Sequence, residues 1–276
     1  MKKRFVSIFY LLAFLSLVSC YPEYKLARTF IKSDKDISIM VLPTYVVFKD
    51  NLKTGEVKGL KKMSETEADS ALLANSIFLK DISDSIFLER FTNSFLIELE
   101  ALGIKVYNES YADSFLYLPS EAYIINVAQI LLEEHYNRHE DKETIGEYEY
   151  FKTVDQNALT YNFWFEFTQV RNEKTPPKLF YTSETINDLV NGYFVENPFT
   201  GSVKYKYSVS EIDLDIIYEY AEILGQRYAG YFYDYLMNGF IYYNWTQKRE
   251  PYFWMHYKRY NNTLDPDDDA RFMEME

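Results

Sequence analysis

The chain is expected to fold as an α+β (mixed α/β) domain: a single sheet of about five strands with helices packed on it, followed by an aromatic C-terminal extension. Three observations carry this reading. Strand-like apolar runs recur at residues 37–43, 104–107, 122–133, 158–170 and 178–184. Two longer stretches, 64–102 and 210–239, instead follow the helical period of about 3.6 residues. Hydrophobic residues make up 47% and aromatic residues 18% of the 276 positions, enough to build a buried core.

Each element has a local reason. Ile37, Ile39, Met40, Val41 and Leu42 form a short β-branched run that Pro43 ends, with residues 44–48 extending it past a bend. Residues 50–67 are charged, contain Gly55 and Gly59, and read as an exposed loop. Ser64 with Glu65 and Glu67 has the look of a helix start, and Ile86, Phe87, Phe91, Ser94, Phe95 and Leu99 then repeat along one face up to Gly103. In 122–133, Tyr123, Ile125, Val127 and Gln129 alternate onto one side, and the polar stretch 134–149 reads as a hairpin loop. Leu159, Tyr161, Phe163, Phe165 and Phe167 alternate in the same way. Asn197-Pro198 and Thr200-Gly201 mark 192–207 as a loop or irregular hairpin. Ser210 can cap the last helix, whose Ala221, Gly225 and Ala229 form a small-residue groove for close docking on the sheet.

The first twenty residues are the sharpest signal. Lys2, Lys3 and Arg4 precede an apolar run from Phe5 to Val18, the pattern of a signal peptide spanning 1–19. The run is shorter than the roughly 20 residues a membrane-spanning helix needs. Leu17-Val18-Ser19-Cys20 follows, and Cys20 is the only cysteine. This stretch resembles the lipobox of bacterial lipoproteins, which implies cleavage before Cys20 and acylation of that residue. Residues 20–36 would then be a lipidated polar tether, 37–239 the α/β domain, and 240–276 the aromatic extension with its acidic tail. The composition, rich in Tyr, Asn, Lys and Ile, is similar to that of chains from Bacteroidota. Asp69-Ser70-Ala71 and Asp84-Ser85-Ile86 resemble the short O-glycosylation signal of that group.

The order of elements resembles, in topology, the α/β domain shared by envelope lipoproteins such as the curli-secretion lipoprotein CsgG and the penicillin-binding-protein activator LpoB. The likeness covers about 37–239, leaving out the insertion at 44–67 and the aromatic tail. It implies an interaction domain rather than a catalytic one, and no pore-forming hairpins of the curli type are evident.

Charge narrows the partners. Without residues 1–19 the chain carries 26 Lys and Arg against 42 Asp and Glu, a formal charge of −16. Such a chain repels phosphate backbones, so nucleic acid is not an expected partner. It also repels anionic lipid heads, leaving lipid on Cys20 as the membrane attachment. With Cys20 committed, no intramolecular disulfide can form.

Catalytic and metal motifs are weak. His135 and His139 stand four apart, a zinc-like spacing on a helix, but they fall in a polar stretch read as loop. Asp265, Asp267, Asp269 and Glu276 match positions of a calcium loop, yet Ala270 stands where glycine is needed. No nucleophile elbow, dinucleotide fingerprint or phosphate loop occurs. No metal or cofactor is expected, although a carboxylate pair of the glycosidase kind stays open. Tyr228 to Tyr260 holds fourteen aromatics in 33 residues. Trp245, Tyr252, Phe253, Trp254 and Tyr257 are the candidate partner interface, because Tyr and Trp supply large rigid contact areas.

The expected function is therefore that of an outer-membrane lipoprotein, facing the periplasm, acting as a non-catalytic accessory or scaffold subunit of an envelope assembly, transport or secretion complex. A glycan-binding lipoprotein using the C-terminal aromatics is the alternative, with an envelope hydrolase behind it.

Overall fold

A computed structural model describes residues 22–33, 35–171 and 176–275; the expected signal segment, Cys20 and Tyr21 lie outside them. The framework is mixed α/β, with a seven-stranded sheet where about five strands were expected. Strand β1 (Ile37–Leu42) runs parallel to β3 (Lys105–Tyr107) on one side and to β4 (Glu121–Ile145) on the other. It is covered on both faces, with Ile37, Ile39 and Val41 in the main core and Met40 against Phe115 on the other side, which explains its nearly unbroken apolar run. β4 turns through Gly146 and Glu147 into antiparallel β5 (Tyr148–Gln169), which pairs with β6 (Lys178–Asn187). Gly146 sits at φ 64, the left-handed region a two-residue hairpin turn requires.

The two additional strands come from stretches read differently in the sequence. β2 (Phe48–Asn51) pairs parallel with β4 beyond the end of β1, and β11 (Met273–Met275) adds to the outer edge of β6. The segment 134–149 is not a loop. It continues β4 and opens β5, so that residues 135–145 and 148–157 form a two-stranded arm about 35 Å long at roughly 3.3 Å per residue. A hairpin of β7 (Leu189–Glu196) and β8 (Val203–Ser210) lies over this arm, with Phe194 N–H donating to Glu143 at 3.4 Å.

A β-bulge between Val127 and Gln129 governs which face of β4 is buried. Tyr123, Ile125 and Val127 point into the core, but the extra residue, Ala128, switches the alternation. Ile130 and Leu132 are then buried, and Gln129 falls on the opposite face rather than on the expected one.

Helices cover one face of the sheet. The helical pattern of 64–102 splits into α2 (Glu65–Ala74) and α3 (Asp84–Ala101), with α1 (Pro22–Lys32) before them. Ser64 and Glu67 make the expected reciprocal cap of α2. The break exists because the backbone amides of Ile77, Phe78 and Leu79 bond the Glu134 carboxylate instead of helix carbonyls. A short α4 (Ala112–Phe115) seats Phe115 against Met40 and Ala122 on the other face of the sheet. The last helix, α5 (Leu214–Tyr243), is capped by Asp213 rather than Ser210, which ends β8. It also runs past Gly239 to Tyr243 because Ile241 is still buried.

α5 does pack on the sheet, through Tyr228 and Phe232 against Phe163 and Phe165. Its small-residue groove, however, receives α3 and not the sheet. A methyl group placed on Gly225 would come within 3.0 Å of the Phe95 nitrogen and 3.1 Å of Ser94 Cβ, and closer still to the Phe91 carbonyl oxygen. Ser94 Oγ donates to the Glu222 carbonyl at 2.6 Å and fixes the approach. The rings of Phe91, Phe95, Phe163, Phe165, Tyr228 and Phe232 pack together here. Each fully buried ring of this size contributes about 1.5–3 kcal/mol relative to an exposed one.

The stretch expected as a tether contains α1, which is docked and not free. Ala27 and Phe30 are buried, and the Phe30 ring lies 5.4 Å from Tyr233. Four apolar positions spaced along α1 (Leu26, Ala27, Phe30 and Ile31) were enough to seat a segment that reads as polar overall. At the other end, β9 (Trp254–Lys258) and β10 (Thr263–Asp267) form a hairpin, and Phe272 then inserts among Phe165, Phe180 and Phe232. The tail is thus part of the core.

Candidate functional site

Tyr235, Gly239 and Tyr243 recur every four residues and share one face of α5. Gly239 gives that face its depth: a methyl group added there would meet nothing within 4 Å. Two cavities, of about 350 and 550 Å³, share Lys178, Tyr235, Gly239 and Tyr243 and so make one groove along the C-terminal end of α5. The smaller part is floored by Tyr123 and Phe167, whose rings stack at 5.0 Å, and is walled by Phe30 and Phe240. The larger part is bounded by Tyr242, Tyr252, Phe253 and Trp254.

Where the two parts meet, Lys178 Nζ pairs with Glu274 at 2.6 Å and lies 5.6 Å from the centre of the Tyr235 ring. Burial pulls the Lys178 ammonium down, but bonds to Glu274 and Tyr235 outweigh it and hold the group above the usual lysine range. Burial pushes the Tyr235 hydroxyl up although Lys178 opposes it. Around that pair the groove presents neutral aromatic faces, with the acidic side chains of Glu121, Glu250 and Asp268 also on its lining. That chemistry suits gripping a large apolar or flat group.

Of the five aromatics singled out in the sequence, three meet in this groove. Tyr252 is mostly exposed, with the Arg249 guanidinium 4.2 Å from its ring centre; Phe253 and Trp254 are half-buried. Trp245 and Tyr257 pack against the core instead. The Trp245 indole N–H donates to the Arg249 carbonyl, and the Tyr257 ring lies 5.7 Å from Tyr233. Tyr235, Gly239, Tyr243 and Lys178 were not singled out, although the four-residue spacing of the first three was readable.

Beside the groove, His256 and Asp234 form a buried pair, Nδ1 to Oδ2 at 3.2 Å. Burial raises the Asp234 carboxyl, while His256 and the Tyr257 amide oppose the rise. The second His256 nitrogen meets the Asp269 carbonyl at 3.2 Å, so the pair clasps the C-terminal segment before Phe272.

A second polar cluster lies under the base of the arm. The region expected as exposed loop buries Asn51 and Lys53, and Lys53 Nζ reaches Glu134 at 2.9 Å and Asn157 at 2.8 Å. Asn157 in turn donates to Asp188 at 2.8 Å, and Asp188 accepts the Ile212 amide at 2.9 Å. This chain of bonds ties β2, the arm and the approach to α5 together. Every member is engaged, which is the condition for burying charge at tolerable cost.

The metal candidates are dispersed. His135 and His139 lie on strand β4, about 13 Å apart at strand spacing, and bond Thr160 and Asp141 respectively. Asp265 pairs with Lys258 at 2.5 Å, Asp267 accepts the Asp268 amide, and Glu276 lies outside the described residues. Among the described residues no three His, Cys, Asp or Glu side chains converge in the manner of a metal site. Comparison with protein-family models, with curated proteins and with solved structures finds no match.

Proposed function

We propose that the chain is an outer-membrane lipoprotein, anchored through Cys20 and facing the periplasm. In this reading it is a non-catalytic accessory subunit of an envelope assembly, transport or secretion complex, and the α5 groove holds its partner. The observation that supports this best is the groove itself. Large aromatic side chains, among them Tyr235, Tyr243, Tyr252 and Trp254, line one open space beside Gly239. Interfaces draw most of their binding free energy from such aromatic pockets. No helix among the described residues is long and apolar enough to cross a membrane, so in this reading the lipid does the anchoring. The test is purification of the tagged native protein in mild detergent, beside Gly239→Trp, which fills the groove from a position with room for a side chain. A stoichiometric envelope partner that Gly239→Trp loses is the expected result. A lone monomer, or a partner indifferent to the substitution, contradicts the proposal.

One observation favours a second reading. The larger part of the groove combines Trp254, Tyr242, Tyr243 and Tyr252 with polar groups of Asp268 and Glu274, a mixture that also suits a sugar. Glycan arrays with the native protein and Trp254→Ala separate the two: a ligand lost on substitution favours the sugar.

A further inference from the structure

The end of the domain formed by the start of α1 and the loop after α5 carries an arrangement that its acidic composition hides. Glu23, in the first turn of α1, is fully buried and accepts the Tyr252 amide at 3.1 Å, joining α1 to that loop. Two tyrosine–arginine pairs flank the joint. Arg28 donates to the Tyr24 hydroxyl at 2.9 Å and is held from behind by Asn262 at 3.1 Å. Arg249 lies over the ring of Tyr252. Lys25 and Lys248 are exposed beside them in sequence, and Glu250 is the exposed acid of the loop. On a chain with net charge −13, this is a local concentration of cations interleaved with exposed tyrosine.

Its place in the chain decides what faces it. Only Tyr21 separates Cys20 from Pro22, the first residue of the docked helix. Two Cα steps span at most about 7–8 Å. Lipid on Cys20 therefore draws the start of α1, and the loop bonded to it, to the bilayer surface.

We propose that this end of the domain seats directly on the lipid interface, with Tyr24 and Tyr252 at headgroup depth and Lys25, Arg28, Lys248 and Arg249 against anionic headgroups. Tyrosine favours that depth because its ring is apolar and its hydroxyl is not, and cations near an anionic surface add attraction. The domain then stands on the membrane in a fixed orientation, and the groove that Tyr252 borders opens close to the bilayer. The inference rests on the lipid anchor of the proposed function, so its test supplies the lipid chemically.

The chain from Cys20 onward is coupled through its single thiol to a maleimide phospholipid in phosphatidylethanolamine–phosphatidylglycerol vesicles. Tryptophan is introduced at position 252 (Tyr252→Trp) or, at the tip of the distant arm, at position 148 (Tyr148→Trp). Emission added by each tryptophan is followed against lipids brominated high on the acyl chain. At least twofold quenching at 252 with none at 148 is expected, and hydrogen exchange in 246–253 should slow at least threefold on coupling. Equal quenching at both positions, or unchanged exchange in 246–253, overturns the seating while leaving the groove's partner open. Absence of lipid on Cys20 of the native protein, read by intact mass, would instead remove the anchor itself.

Discussion

The same substitution, glycine to alanine, should have opposite effects at two positions of one helix. Gly239 faces open space, so an alanine there gains only the helical preference of about 1 kcal/mol over glycine. Gly225 has the same propensity gain available but no room for the methyl. The added carbon would press on the Phe91 carbonyl and sit 3.0 Å from the Phe95 nitrogen, against ordinary contacts of 3.4–4 Å. Two backbones face each other there, so no side-chain rotation relieves the clash and the helices must separate. Separation also weakens the bond from Ser94 to the Glu222 carbonyl and opens the packing of Phe91 on Tyr228. Overpacking of this kind costs about 1–3 kcal/mol, and a lost hydrogen bond adds about 1 kcal/mol. Set against the propensity gain, Gly225→Ala should cost about 1–3 kcal/mol and lower Tm by roughly 3–10 °C at this chain length. Gly239→Ala should raise Tm by roughly 2–4 °C. Thermal melts by circular dichroism on the two variants give the comparison. If Gly225→Ala melts at or above the parent, the close crossing of α3 and α5 is not as described.

Further outcomes follow from the same packing. Lys53→Met leaves the Glu134 carboxylate buried without its cation and should cost about 3–5 kcal/mol in urea unfolding. Glu134→Ala should cost more, since it also orphans the amides of Ile77 and Phe78. Phe272→Ala, which empties the site among Phe165, Phe180 and Phe232, should cost about 3–5 kcal/mol by the same assay. Tyr161 carries a buried hydroxyl without a partner among the described residues, so Tyr161→Phe should stabilise by about 1 kcal/mol, measured from the urea midpoint. Deleting Ala128 removes the bulge and leaves Ile130 and Leu132 in phase with Ile125 and Val127 in a regular strand. The variant should therefore keep a dispersed amide NMR spectrum, and loss of dispersion would contradict the assignment of Ala128 as the extra residue.

Elements whose patterns are local were readable from the residues alone. The alternation of Leu159, Tyr161, Phe163, Phe165 and Phe167 announces a strand with one buried face, and all five are buried. The Ser64 capping box and the apolar face of α3 were equally plain. What escaped depends on distant partners. Glu134 looks like the start of a polar loop until Lys53 and the amides of Ile77 and Phe78 are brought to it. One residue in excess, Ala128, reverses the faces of β4, and nothing in a run of mostly apolar residues marks which residue is the extra one. Residues 22–32 read as polar because only three of the eleven, Glu23, Ala27 and Phe30, are buried, and only the sheet-bound α5 shows what Ala27 and Phe30 are for. The groove was half legible. Its aromatic rim at Tyr252, Phe253 and Trp254 stood out by density, whereas its helical wall depends on which turn of α5 Tyr235 and Tyr243 occupy.

If a partner occupies the groove, a photoreactive residue placed there in living cells captures it directly. Benzoyl-phenylalanine at position 243, on the groove wall, should crosslink under light to one discrete envelope protein. The same residue at position 148, exposed at the arm tip, should give no such adduct. A discrete adduct at 148 with none at 243 would place the partner on the arm and contradict the account.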